Sequence, residues 1–262
     1  MGTLESKIIR MTVVLTYLLM ITTNALANIL PINGLNTGQV SNNYPNLFAP
    51  AAITFSIWGL IYISLGIYVV YQLYALKGKP YRAKFFDTIG IYFSLSSAAN
   101  ALWIVAWHHL YFGISLILMG IILLSLIKIN KTIYNKSLDT QVTKIVSLPF
   151  SIYFGWITVA TIANVTTLLV SLNWQGFGIP DYIWTIVVLI IGLIIGSITM
   201  YKKKDFFFGL VFLWAYTGIL LKHLQKSGFN GNYLTIIITV MVSILILLYV
   251  EYNIYQAKKD SG

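Results

Sequence analysis

Residues 46–73 read NLFAPAAITFSIWGLIYISLGIYVVYQL and contain no charged side chain. Such a run is typical of a helix that crosses a bilayer, since about 20 apolar residues at ~1.5 Å each span a hydrocarbon core of ~30 Å. The stretch therefore predicts a transmembrane helix that begins near Pro50. It also raises the question why Trp58, Tyr62 and Gly66 recur at four-residue spacing within it.

The composition of the whole chain places it in the same class. Of its 262 residues 58% are hydrophobic and 9% are charged, and the mean hydropathy is +0.81. These values exclude a water-soluble globular domain and predict an all-α polytopic membrane protein. The absence of cysteine excludes a disulfide framework and a thiolate metal site. Apolar runs predict eight transmembrane helices at roughly 8–28, 49–75, 85–108, 110–130, 145–172, 181–200, 206–222 and 232–255.

The basic residues alternate between the two predicted sides of the membrane. Of the 17 lysines and arginines, 15 fall on one side, and Lys222 and Lys226 fall on the other. The positive-inside rule makes the first side cytoplasmic, so we expect both termini there, in a bacterial plasma membrane. The 15 residues are Lys7, Arg10, Lys77, Lys79, Arg82, Lys84, Lys128, Lys131, Lys136, Lys144, Lys202, Lys203, Lys204, Lys258 and Lys259.

The N-terminal part of the chain allows more than one interpretation. The first predicted helix is either retained or a secretory signal cleaved after Ala25-Leu26-Ala27, and we favour a retained helix. The uncharged loop 29–48 is rich in Pro, Gly and Asn, which indicates turns on the outer surface. This loop is either a lid or a plain connector.

The aromatic series in the second predicted helix lies on one face. Phe55 extends the series to positions i, i+3, i+7 and i+11, so its four members point the same way. Gly59 and Gly66 mark a neighbouring stripe where another backbone can approach closely. The alternative is ordinary helix packing.

Two other predicted helices pair an indole with an amide inside lipid. Asn100 and Trp103 lie at i and i+3, and Trp156 and Asn164 lie at i and i+8. An asparagine in hydrocarbon must find a hydrogen-bond partner, so each should face the bundle interior. The alternative is interhelical bonding, worth about 0.6 kcal/mol on average. By helix direction all these residues converge with Trp58 in the outer half of the bundle, where an aromatic cavity suits a flat apolar ligand.

Residues 45–174 resemble the TspO family, the translocator proteins and tryptophan-rich sensory proteins. The resemblance rests on Pro50, on the Trp58 block, on the two indole and amide pairs and on the order of all of them along the chain. The motifs are WGLIYISLG (58–66), NALW (100–103), YFG (111–113) and LPFSIYFGWITVATIAN (148–164). The resemblance implies a TspO-like five-helix region over 1–174, followed by an additional three-helix membrane region over 175–262.

The resemblance also implies a function. We expect a binding or sensory membrane protein that is not an enzyme and holds a tetrapyrrole-like or other flat hydrophobic ligand. No cofactor is required, no metal is expected, and a porphyrin or haem-like molecule is the candidate ligand. The expected partners are a hydrophobic small molecule and the lipid bilayer, without nucleic acid, and a homo-oligomer is left open. The expected ligand-binding residues are Trp58, Tyr62, Asn100, Trp103, Trp156 and Asn164.

The same sequence features are also compatible with two other functions. A small-solute transporter would use eight helices and an outer cavity equally well, but we find neither paired broken helices nor an ionisable coupling residue near mid-membrane. A retinal protein ranks third, because Lys222 falls at the end of its helix. We assign two histidines and six aromatic residues near helix ends to the membrane interface, where aromatic belts and polar residues lie. These residues are His108, His109, Tyr17, Trp107, Trp174, Trp184, Tyr233 and Tyr252.

Overall fold

The computed structural model describes residues 4–30, 32–75, 82–135 and 140–259. Of the 15 basic residues predicted to be cytoplasmic, Lys77, Lys79 and Lys136 lie outside the described residues, and so does the side chain of Lys258. The described residues form helices and loops without strands. The α-helices are α1 (Leu4–Ile29), α2 (Thr37–Asn43), α3 (Ile57–Tyr74), α4 (Ala83–His108), α5 (Phe112–Tyr134), α6 (Thr140–Ser171), α7 (Asp181–Lys203), α8 (Phe206–Leu224) and α9 (Leu234–Lys259).

All of these helices except α2 are long and apolar enough to span a membrane, which gives eight candidate spans among the described residues. The predicted all-α polytopic class is confirmed. The start of the second span differs from its prediction. Ala52–Ser56 is a short 3₁₀-helix, and the α-helix begins only at Ile57. Pro50 has no N–H to donate, and the amide of Ala51 bonds to the carbonyl of Gly218 at 2.9 Å.

Five spans close into a ring in the packing order α1, α4, α5, α6, α3 and back to α1. We call this the five-helix ring. The remaining spans form what we call the C-terminal layer: α8 packs on α6, and α7 and α9 pack on α8 and on each other. Because α6 belongs to both packing interfaces, it joins the layer to the ring.

The loop between α1 and α3 covers one end of the ring. It contains α2, which was not predicted from the sequence and which packs against α4. We call residues 32–43, which include α2, the α2 segment. The helix begins with a capping box, in which the Asn36 side chain accepts from the Gln39 amide at 2.9 Å and the Gln39 side chain accepts from the Asn36 amide at 2.8 Å. We refer to this end of the bundle as the α2 end.

The two glycines of α3 behave differently. A Cβ on Gly66 would lie 2.6 Å from the hydroxyl of Tyr17 in α1, and this hydroxyl donates to the carbonyl of Tyr62 at 2.9 Å. Gly66 thus permits the predicted close approach, made by a side chain rather than by a backbone. The prediction for Gly59 is wrong, because no atom among the described residues comes within 4 Å of its Cβ position. Gly59 is exposed, so it lies on the outer surface of the bundle.

Candidate functional site

An aromatic cluster centred on Trp58 lies inside the five-helix ring. Four of the predicted site residues meet in it, since α3 supplies Trp58 and Tyr62, α4 supplies Trp103 and α6 supplies Trp156. The Trp58 ring stacks on Tyr62 at 5.4 Å between centroids, and lies 6.1 Å from Trp103, 6.1 Å from Tyr153 and 6.2 Å from Trp156. These separations fall within the ~4.5–7 Å range of favourable aromatic pairs.

The first cavity beside this cluster has a volume of about 330 Å³ and lies between α1, the α2 segment and α3. Amides form one wall and aromatic rings form the other, so we call it the amide cavity. Its lining residues are Asn24, Asn28, Asn36, Thr37, Gly38, Ala52, Phe55, Trp58, Tyr62 and Ile104.

The second cavity is smaller, about 40 Å³, and lies between the α2 segment, α4 and α6. Indoles dominate its walls, so we call it the indole cavity. Thr37, Phe55 and Trp58 line both cavities and therefore lie between them. Its lining residues are Thr37, Ser41, Asn46, Ala49, Pro50, Phe55, Trp58, Trp103, Trp107, Trp156, Val159, Ala160, Ala163, Asn164 and Thr167.

Asn100 lines neither cavity, unlike the other predicted site residues. Its side chain is fully buried. Its Oδ1 accepts from Asn24 Nδ2 at 2.8 Å, and its Nδ2 donates to the Tyr153 hydroxyl at 3.2 Å. Asn100 therefore joins α1, α4 and α6 and holds Tyr153 beside Trp58. Sequence reasoning missed Asn24, although an amide within an apolar span is the same signal that singled out Asn100 and Asn164.

Three buried N–H donors around the indole cavity lack an acceptor among the described residues. Asn164 Oδ1 accepts from Ser115 Oγ at 3.1 Å, but Asn164 Nδ2 has no partner among the described residues. The same holds for Nε1 of Trp103 and Nε1 of Trp156, and all three atoms are buried. A buried donor without an acceptor costs about 1–3 kcal/mol. The cavity wall can therefore offer three hydrogen bonds to a ligand that carries acceptor atoms.

Trp107 and His108 lie at the end of α4, as predicted, but they are buried within the protein instead of exposed on its surface. Trp107 is buried and lines the indole cavity, stacking on Trp103 with 5.8 Å between centroids, and its Nε1 donates to the Thr37 carbonyl at 3.3 Å. His108 is fully buried, and its carbonyl accepts from Asn33 Nδ2 at 3.1 Å. Both are covered because the α2 segment folds back over the end of α4. The i+4 spacing of Trp107 from Trp103 was the available signal.

The segment 42–54, which contributes to both cavities, is held by α8. Each contact uses a polar group of α8 and, in most cases, a backbone atom of the segment. The contacts are Ala51 N to Gly218 O at 2.9 Å, Trp214 Nε1 to Thr54 O at 2.9 Å, His223 Nε2 to Leu47 O at 2.9 Å and Lys222 Nζ to Asn42 Oδ1 at 3.2 Å. The C-terminal layer is thus attached to the mouth of the site.

The site is electrically neutral. The residues that line the amide and indole cavities are apolar, aromatic, amide or hydroxyl residues, and none carries a charge. Among residues 4–30, 32–75, 82–135 and 140–259 there is also no group of three His, Asp or Glu side chains that could hold a metal ion. What the cavity walls offer is therefore stacking, apolar contact and hydrogen bonds to neutral acceptors.

These features define a polytopic helical membrane protein with a neutral aromatic site at one end of a five-helix ring. The sequence matches the family model described as TSPO-like protein over residues 10–252, and the chain belongs to this family. The match begins within α1 and ends within α9, so it reaches all eight spans. The predicted TspO membership is confirmed, while the boundary at residue 174 stays a prediction. Neither the curated proteins nor the solved structures include a match to the chain.

Proposed function

We propose that the chain is a binding or sensory protein of TspO type, whose ligand is flat and largely apolar and carries hydrogen-bond acceptors at its edge. The observation that supports this proposal is the set of three buried N–H donors on Trp103, Trp156 and Asn164, which have no acceptor among the described residues. A tetrapyrrole such as a porphyrin has this chemistry, with an aromatic plane to lie against Trp58. We propose a binding role rather than an enzymatic one.

The size of the cavities limits how such a ligand binds. The amide cavity, at about 330 Å³, is at the small end of the ~300–1,000 Å³ range of ligand pockets. A ligand as large as a tetrapyrrole therefore needs the amide and indole cavities to join. Rotation of the Phe55 and Trp58 side chains, which lie between the two, would join them. One carboxylate of the ligand can accept from the buried donors of Trp103, Trp156 and Asn164, while any other would stay at the mouth, since burying an unpaired charge in a neutral cavity is costly.

To test the binding proposal, protoporphyrin IX is added to the detergent-solubilised protein. Binding is measured from the Soret absorbance of the porphyrin, because this signal does not depend on tryptophan emission. Trp58→Leu should raise the dissociation constant about two- to tenfold, because one aromatic pair is worth ~0.5–1.5 kcal/mol. Asn164→Leu should also weaken binding, since it removes one free donor.

The matched control is Trp184→Leu, which removes an indole of α7 that lines neither cavity. It should bind the porphyrin as the wild type does. Wild-type affinity in both Trp58→Leu and Asn164→Leu would contradict the proposal and leave the cluster as helix packing.

We also propose that both termini are cytoplasmic and that the α2 end faces outward, from the distribution of basic residues. Because the chain lacks cysteine, single cysteines can replace Asn43 and Lys202, which are both exposed and lie at opposite ends of the bundle. An impermeant thiol reagent should label Asn43→Cys but not Lys202→Cys in intact cells. Labelling of Lys202→Cys but not of Asn43→Cys would contradict the proposed topology.

A further inference from the structure

A third cavity, of about 600 Å³, lies at the α2 end between the five-helix ring and the C-terminal layer. We call it the interlayer cavity. It is lined by the 45–48 segment, by the end of α6, by the start of α7 and by Phe229 and Tyr233 from the connection between α8 and α9. Asn46 is the one residue that it shares with the indole cavity. It is therefore a separate space that the proposed ligand site does not use.

Aromatic rings form much of its wall. Trp174 and Trp184 lie 5.2 Å apart between centroids with their planes inclined by 56°, and Trp184 Nε1 donates to the Gly176 carbonyl at 2.9 Å. On the other side, Phe229 and Tyr233 meet edge to face at 5.5 Å. The Trp184 bond fixes the plane of its indole, so this wall offers ring surface at a set angle.

The charge of this wall differs from that of the first site. Asp181 is the one charged side chain among the described residues that line the interlayer cavity, and the amide and indole cavities have none. Aromatic faces attract cations through the ring quadrupole, and tryptophan does so most strongly. A carboxylate and two tryptophans that line the same cavity favour an organic ammonium group, which can ion-pair with Asp181 while its alkyl groups contact the rings. The same wall repels an anion.

We propose that the interlayer cavity binds an organic cation, specifically a quaternary or other alkylammonium group attached to an apolar body. The group comes either from a free small molecule or from a lipid headgroup. This site is independent of the proposed TspO-type ligand, because the two differ in lining residues and in charge.

The experiment uses benzoylcholine as the probe and 3,3-dimethylbutyl benzoate, its uncharged carbon isostere, as the matched ligand. Binding to the full-length protein in dodecyl maltoside is measured by titration calorimetry. Asp181→Asn should weaken benzoylcholine about tenfold, equivalent to ~1.4 kcal/mol, while Asp181→Glu should retain most of the affinity. Trp174→Leu should weaken it as well, whereas Trp58→Leu, in the first site, should leave it unchanged.

Melting temperatures are recorded alongside, since Asp181 also lies in the first turn of α7, where a carboxylate stabilises the helix. The proposal is overturned if folded Asp181→Asn protein binds benzoylcholine as tightly as the wild type. It is also overturned if the wild type binds the uncharged isostere equally well, or binds neither compound. Failure of porphyrin binding would not affect this result.

A competition experiment identifies the source of the cation once benzoylcholine binding is established. Dihexanoylphosphatidylcholine should displace the probe if the natural ligand is a lipid headgroup, while dihexanoylphosphatidylglycerol should not. If the choline lipid does not displace the probe, a free organic cation is the ligand.

Discussion

The five-helix ring and the C-terminal layer fill their interiors in different ways. In the layer, aromatic rings of α8 pack directly against glycines of α7. A Cβ atom on Gly192 would lie 2.8 Å from the Tyr216 hydroxyl, and a Cβ atom on Gly196 would lie 2.6 Å from the Phe212 ring. The Tyr216 hydroxyl also donates to the Leu189 carbonyl at 2.6 Å. In the ring, by contrast, indole and amide donors around the indole cavity have no acceptor among the described residues.

The difference follows from what drives helix association in lipid. Lipid tails are as apolar as leucine, so helices associate through close packing and hydrogen bonds rather than through the hydrophobic effect. Close packing dominates in the layer, whereas the ring leaves part of its interior unpacked. The layer also holds the 42–54 segment of the site through α8. A densely packed part of the molecule thus supports a part whose interior contains cavities.

The largest effect is expected from Gly196→Ala in the layer. The added methyl group would collide with the Phe212 ring, which is fully buried, so the ring or the helix must shift. Overpacking of this kind costs about 1–3 kcal/mol, so the melting temperature in detergent should fall clearly.

The control for this change is Gly120→Ala in α5, where no described atom lies within 4 Å of the Cβ position. Alanine is favoured over glycine inside a helix by about 0.5–1 kcal/mol, so this variant should melt at the wild-type temperature or above. Equal destabilisation by both changes would mean that the layer is not more tightly packed than the surface of the ring.

The next effect separates two asparagines of the ring. Asn100→Leu removes the bonds to Asn24 and Tyr153 and should cost about 1–2 kcal/mol of unfolding free energy, since such interhelical bonds average ~0.6 kcal/mol and reach ~1.7. Asn164→Leu should cost less, because Ser115 keeps its bond to the Phe112 carbonyl at 2.9 Å. Chemical unfolding in mixed micelles measures both variants. A larger loss for Asn164→Leu would contradict the view that its amide is available to a ligand.

A smaller effect tests the link between the two regions. Trp214→Phe keeps a ring in α8 but removes the 2.9 Å bond to the Thr54 carbonyl, and we expect a loss of about 0.5–1 kcal/mol. If α8 holds the mouth of the site, protoporphyrin IX should also dissociate faster from this variant in stopped-flow measurements. An unchanged dissociation rate would show that the layer does not support the site.

The smallest effect concerns the two lysines at the α2 end, Lys222 and Lys226. Lys222 is only partly buried and bonds to Asn42 at 3.2 Å, so replacing both lysines with glutamine should change stability by at most about 0.5 kcal/mol. The variant should weaken protoporphyrin IX a few-fold but leave its dimethyl ester unaffected, because the lysines attract carboxylates at the mouth. Equal weakening of the acid and the ester would point to a change in fold instead of charge.

The sequence determined the features that depend on local composition. Apolar length predicted the eight spans, since a helix must cross a hydrocarbon core of ~30 Å. The spacing of Trp58 and Tyr62 predicted that they share a face, because helical periodicity fixes side-chain direction. The need to satisfy an amide in lipid predicted a buried Asn100, which forms two interhelical bonds.

Only the tertiary structure decided which of these polar side chains bond to another helix and which keep a hydrogen-bond donor without a partner among the described residues. Asn100 and Asn164 give the same sequence signal, yet Asn100 is bonded to Asn24 and Tyr153 while the Asn164 amide nitrogen has no partner among the described residues. Burial of Trp107 likewise depends on the α2 segment folding back over α4. Hydrogen-bond partners and cavities arise between helices that are distant in sequence, so no local pattern can specify them.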